Sequence, residues 1–352
     1  MKLYDGLLRI GQFRLLRPLA SIILSYLARM PFYLLVRITG RRLVTASAAS
    51  PAILLSGSNM EEAPKNAELL YKSMKYTIER MHLDTFCLMA DLSIEAEACG
   101  CKVVFEKEKV PSIKSHIVNT AQDLENLRVP DPYRDGRMPI FLESLKLIKR
   151  NLIGLKLACI TGPFTLALNL RGSNIYIDTI RNQAMVQELM DFTTVVNIRY
   201  AKAFVKEGAD MVIIAEPACS QLSPAYFDKF ALTYIRKVIK SINRNCILHV
   251  CGNTNHIIHQ ICHSGASAIS IDEVNLMGLI KEAPHNLVIS GNINPTKITM
   301  GSRDEIYKIT RELNESVKDI KNFVIAPGCD LSPQTPLENI QAFVEAIKPS
   351  NK

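Results

Sequence analysis

From about residue 45 onward the chain alternates short apolar runs with longer amphipathic ones, and no low-complexity tract or Gly/Ser linker interrupts them. Seven apolar runs read as strands: TFCLMA (85–90), KLACIT (156–161), MVIIAE (211–216), CILHV (246–250), AISI (268–271), LVIS (287–290) and FVIA (323–326). Helix-like segments lie between them, one opening near Asn66 and others at 179–206, 224–242, 255–264, 303–318 and 336–347. The segment at 224 opens with Ser-Pro. The last opens with Thr-Pro-Leu-Glu, which predicts a proline at the first helical position behind a threonine cap. Strand then helix, repeated about eight times, implies parallel strands joined by crossover helices. An α/β fold of the (β/α)8 TIM-barrel type, spanning 45–352 as one catalytic domain, accounts for this pattern. A doubly wound open sheet is the alternative, although no G-x-G-x-x-G follows an early strand.

The first 44 residues differ in character. They carry Lys2, Arg9, Arg14, Arg17, Arg29, Arg37, Arg41 and Arg42 against the single acid Asp5, and so supply +7 of the chain's +8 net charge. The remainder is close to neutral, which argues against a nucleic-acid-binding body. Within this Leu-rich arm, PLASIILSYLA and MPFYLLV are uncharged but too short for the ~20 apolar residues that cross a bilayer. An N-terminal helical extension packed on the barrel is one reading. A helix contacting a membrane surface or a partner is the other. The nine cysteines are odd in number and widely scattered, and no signal peptide is evident. Together these predict a reducing, cytoplasmic setting with most cysteines acting as small buried side chains.

In a barrel of this kind chemistry collects where strands end. Here the strand ends carry Glu216-Pro217, His249-x-Cys251-Gly252, Asp272-Glu273, Gly291-Asn292-x-Asn294 and Gly328-Cys329-Asp330. His249, Cys251 and Cys329 therefore point to one face although 78 residues separate the two cysteines. One imidazole and two thiolates suit a zinc ion with coordination capacity left over, and such a site activates a substrate thiol. Glu273 is a candidate fourth ligand that the thiol would displace. A buried strand that happens to hold a histidine and a cysteine remains the plain alternative. Asp91 and Glu95 follow an early strand, where acids also favour a helix N-terminus. Glu216 is a pocket candidate, and Asn292 either lines the pocket or satisfies a turn. His256, His259 and His263, spaced i, i+3 and i+7, form a weaker rival cluster or a solvated helix face.

The segments LHVCGNT, ISIDE, SGNINP and APGCDLSPQTPLENIQAFVEAIK resemble the uroporphyrinogen decarboxylase-like superfamily, and within it the methylcobamide:coenzyme M methyltransferase branch. DLSIEAEACGC (91–101) and AEPACSQLSPAYFDKF (215–230) are similar to motifs of the same branch, and the resemblance covers roughly 45–348. The His-x-Cys and Gly-Cys elements are its specific part, since they separate these methyltransferases from the metal-free decarboxylases. The resemblance implies zinc held by His249, Cys251 and Cys329. It also implies transfer of a methyl group from a methylated corrinoid (methylcobamide), carried by a separate corrinoid protein, to a thiol such as coenzyme M. Asp91 matches an acidic position of the family motif. The first ~40 residues do not follow the family's usual start, and RITGRRL is only a faint echo of an arginine motif of the decarboxylases. Two other functions stay in view: decarboxylation of a tetrapyrrole carboxylate with Asp91 as the key acid, and a non-catalytic corrinoid-protein-binding module.

Overall fold

The computed structural model describes residues 3–10, 13 and 15–348. All seven predicted strands are present: β1 (Thr85–Cys87), β4 (Leu155–Thr161), β5 (Met211–Ala215), β6 (Asn245–His249), β7 (Ala268–Ser270), β8 (Val288–Ile293) and β9 (Phe323–Pro327). They form one parallel sheet in the order β1-β4-β5-β6-β7-β8-β9. Every connection between neighbours crosses over through at least one helix, as parallel pairing requires. The strands are buried on both faces (all seven residues of β4, all five of β9), which is why they read as unbroken apolar runs rather than alternating ones. The remaining two strands, β2 (Lys102–Glu106) and β3 (Lys109–Ser115), make an antiparallel hairpin that the alternation pattern did not reveal.

The two edges of the sheet meet at a single extended residue. Val44 makes a parallel bridge with Ile325 of β9, and its carbonyl accepts the Asp84 N–H at 2.9 Å beside β1. The Thr45 and Thr85 hydroxyls lie 2.6 Å apart on the same seam.

The N-terminal residues form three helices, α1 (Leu3–Ile10), α2 (Arg17–Leu27) and α3 (Phe32–Ile38). Tyr4, Leu7, Leu24, Ala28, Phe32 and Leu35 share a hydrophobic cluster with Leu155, Met211, Ala268 and Val288, each the first or second residue of its strand. The helices therefore pack at the N-terminal ends of the strands. Polar contacts fix them there. Arg41 joins Asp84 and Asp5, Ser25 donates to Asp210 at 3.0 Å, and Asn245 donates from its amide to the Ala28 and Met30 carbonyls. Arg42 spans the carbonyls of Val317, Ile320 and Phe323. Arg41 and Arg42, the last two of the three arginines of RITGRRL, thus serve the base of the sheet.

The helix predicted to begin at Pro336 starts one residue later. Pro336 is its N-cap, at extended dihedrals, and Thr335 does not cap it. The segment at 224–242 is divided by a π-helical turn over Asp228–Leu232, a change of hydrogen-bond register that periodicity cannot show.

Candidate metal centre

His249 is the last residue of β6, and Cys251 follows it by two. Gly252 turns the chain with φ near +79°, a conformation glycine adopts without strain, and so the loop departs directly after the thiol. Cys329 follows the end of β9, three strands away around the sheet. The parallel arrangement brings all three to the C-terminal ends of the strands, and their ligand atoms lie within 4.8 Å of one another. His249 Nε2 stands 3.6 Å from Cys329 Sγ. Zinc bonds of about 2.3 Å to sulfur and about 2.0 Å to nitrogen, set tetrahedrally, place such donors roughly 3.6 Å apart. The donor set fits zinc in type and in spacing.

The surrounding groups hold these side chains in place. His249 Nδ1 lies 3.0 Å from Ser270 Oγ, which orients the ring so that Nε2 faces the cysteines. Asp272 accepts the Gly252 N–H at 3.0 Å, and a methyl group on Gly328 would come within 2.3 Å of the other Asp272 oxygen. One carboxylate therefore seats both the loop after Cys251 and the loop before Cys329. Asn292 donates its amide to the Asp272 carbonyl at 3.0 Å and supports the same loop. The three side chains are electrostatically coupled. Burial alone would lower the His249 pKa, but its bond to Cys329 and that residue's charge raise it. Cys251 is pulled down by its bond with Cys329 against the effect of burial, while Cys329 is pushed up by Cys251 and by burial. Cys251 is thus the first of the pair to become a thiolate.

The three donors line a cavity of about 160 Å³. Its walls include Leu157, Ile213, Ala215, Ile247, Ala46 and Ala326, with Ser47, Ser290 and Asp330 as polar points. Among the described residues no lysine or arginine lines it. Asp330 accepts a hydrogen bond from Ser50, while burial raises its pKa to about 6 and its second oxygen has no partner.

The other predicted site residues lie elsewhere. Glu216 is fully buried, and its two oxygens accept the Phe164 and Thr165 N–H groups and the Thr165 hydroxyl. It ties the end of β5 to the start of the helix Pro163–Arg171. Asp91 pairs with Arg137, which also binds Glu97, and neither acid lines the cavity. The Glu273 residue is exposed, outside the three-ligand cluster, with only its backbone engaged to Gly252 and Asn255. Among the histidines of the following segment, His256 binds the Leu222 carbonyl and His259 stacks on His263, and they form no metal-binding group. Ser270, Asp272 and Asp330 were the unread participants. Asp272 and Asp330 were visible beside the named residues, but which of two adjacent acids turns inward depends on the local turn.

The family described as uroporphyrinogen decarboxylase (URO-D) matches residues 37–349. The chain belongs to that family. Its members resemble this chain at modest identity over most of their length. The methylcobamide:CoM methyltransferase MtaA of Methanosarcina barkeri is 31% identical over 303 residues, covering 82% of this chain and 87% of the relative. The uroporphyrinogen decarboxylase of Geobacter sulfurreducens is 27% identical over 299 residues, covering 81% and 86%. A solved methyltransferase from Methanosarcina mazei superimposes with a TM-score of 0.81 at 29% identity, covering 87% of this chain and 93% of that one. Within the URO-D family the chain falls in the methylcobamide:CoM methyltransferase branch.

Proposed function

We propose that this protein is a zinc-dependent methyltransferase that passes a methyl group from a methylated corrinoid, carried by a partner protein, to a small thiol. The observation that carries this reading is the meeting of His249, Cys251 and Cys329 at the edge of a cavity, from strand ends three positions apart. Zinc bound there would hold the acceptor sulfur as a thiolate at neutral pH. Ser270 and Asp272 keep the ligands aimed, and the apolar wall excludes water from the nucleophile. As the carbon–sulfur bond forms, the carbon–cobalt bond breaks and its electron pair stays with the corrinoid, giving a thioether and cob(I)amide. No proton moves in that step, which agrees with the placement of Glu216 and Asp91 away from the cavity. We read the fold as a (β/α)8 barrel with Val44 as its eighth strand, residues 1–44 as an appended helical arm, and the setting as cytoplasmic. Coenzyme M, named for the M. barkeri relative, is the first acceptor to test.

A tetrapyrrole decarboxylase reading is less well supported. A polycarboxylate substrate calls for cations, and none lines the cavity among the described residues. The test is the metal content of the purified protein and of Cys329→Ala, followed by transfer from methylcobalamin to coenzyme M. About one zinc per chain, lost in the variant together with transfer, is the expected result. Metal-free protein that still transfers methyl groups would end the zinc reading. Corrinoid binding without transfer to any thiol would favour a non-catalytic module.

A further inference from the structure

The arm that packs beneath the sheet uses only one face of α2. Ala20, Leu24 and Ala28 are turned inward and are at most 1% exposed. The opposite face carries Leu19, Ile22 and Tyr26, spaced three and four residues apart and 57, 66 and 74% exposed. Ile23 widens the stripe, and Phe13, Leu15 and Leu16 in the turn before the helix are exposed as well. Large apolar side chains at this spacing form a continuous row on one side of a helix. A soluble monomer rarely leaves such a row against water.

Cations surround the row. Ile22 and Tyr26 border a surface cavity of about 370 Å³ that is also lined by Arg29, Lys149, Lys206 and Arg244. Among the described residues Asp210 is the only carboxylate lining it, and it is already paired with Lys156 at 2.7 Å. Burial and the nearby Arg29 charge lower the Arg244 pKa, against a smaller opposing effect of Asp210. The helices α1 and α2 lie outside the span matched by the family, residues 37–349, whereas Lys149, Lys206 and Arg244 lie within it.

We propose that α2 is a docking surface for an anionic lipid membrane, with its apolar row seated among the acyl chains and the Arg29–Arg244 cluster on the lipid phosphates. A helix with an apolar face, flanking cations and no span long enough to cross the bilayer is the arrangement that lies in the interface plane. A second copy of the chain is the poorer occupant, because a two-fold contact through this face would gather two sets of the same cations. Docking here leaves the strand C-terminal ends, and the cavity beside His249, pointing away from the membrane.

The test is flotation of the full-length protein with phosphatidylcholine vesicles, with and without phosphatidylglycerol. Binding is expected only when phosphatidylglycerol is present, and it weakens as salt rises. Leu19→Gln with Ile22→Gln, both at exposed positions, abolishes it. Arg29→Gln with Arg244→Gln weakens it about 25-fold, the effect of two juxtamembrane cations at about 5-fold each. Equal binding to both vesicle types, or binding to neither, overturns the proposal. So does a dimer in sedimentation that the Leu19→Gln, Ile22→Gln pair converts to monomer while wild-type protein ignores vesicles. Circular dichroism of the variants separates lost docking from lost folding.

Discussion

Glu95→Gln should change how stability depends on pH. Glu95 is 1% exposed; one of its oxygens accepts the Thr161 N–H at 2.7 Å and the other lies 2.8 Å from the Thr161 hydroxyl. That hydroxyl also lies 3.2 Å from the Leu92 carbonyl. A hydroxyl has one proton. If Glu95 is protonated it donates to Thr161, Thr161 donates to Leu92, and every group is satisfied. Burial, reinforced by Asp91 and opposed by the Thr161 bonds, raises the Glu95 pKa from 4.5 to about 7. Between those two values the folded protein keeps a proton that the unfolded chain has released. Stability therefore falls as pH rises through that window and levels off above it. The gap corresponds to roughly 3 kcal/mol. Glutamine has a permanent donor in place of the acid proton and does not titrate. Urea unfolding should find wild type and variant within roughly 1 kcal/mol at about pH 5, with the variant ahead by roughly 3 kcal/mol at about pH 8. A constant offset from altered packing would leave that widening intact. Parallel stability profiles for the two proteins would refute a protonated Glu95.

Replacing Ser270 with alanine removes the partner of His249 Nδ1 and should weaken zinc affinity by about 10- to 100-fold, read by competition with a chelating dye, while leaving the fold intact. Lys156→Met strips the partner from Asp210 inside the base of the sheet, where both side chains are at most 3% exposed, and should cost about 3–5 kcal/mol in urea unfolding. Because no lysine or arginine among the described residues lines the cavity and Asp330 does, the sulfonate of coenzyme M meets no countercharge there. An uncharged thiol of similar size, such as 2-mercaptoethanol, should show the lower KM in transfer from methylcobalamin; a clear preference for coenzyme M would place its sulfonate outside the cavity.

The strands were legible because burial on both faces leaves an unmistakable apolar run, as in LKLACIT and FVIAP. The meeting of His249, Cys251 and Cys329 was legible for a related reason, since parallel topology sends every strand end to one face and so joins Cys329 to His249. The hairpin from Lys102 to Ser115 was not, because its residues are mostly exposed or half-buried and the run KVVFEKEKVPSIKS has no clear period. Neither was the role of Val44, whose pairing depends on one bridge rather than a run of apolar residues. Side-chain direction at the strand ends was least visible. Asp272 and Glu273 are adjacent acids of equal reach, and the turn after β7 sends the first toward Gly252 while the second stays exposed. The partners of Glu216 were equally hidden: it is a buried acid at a strand end, and backbone N–H groups claim both of its oxygens.

The seam at Val44 gives the cavity one wall unlike the others. Each neighbouring pair in the sheet is held by a ladder of three or more registered residues, whereas the meeting of β9 with the chain near β1 rests on the Val44–Ile325 bridge and a few side-chain bonds. Thr45, Ala46 and Ser47, the residues that leave that bridge, line the same cavity as His249, Cys251 and Cys329. Local opening follows the lowest density of backbone hydrogen bonds. The wall facing His249, Cys251 and Cys329 is therefore the part that yields first, and the cavity volume can change there without unpairing any strand that carries them.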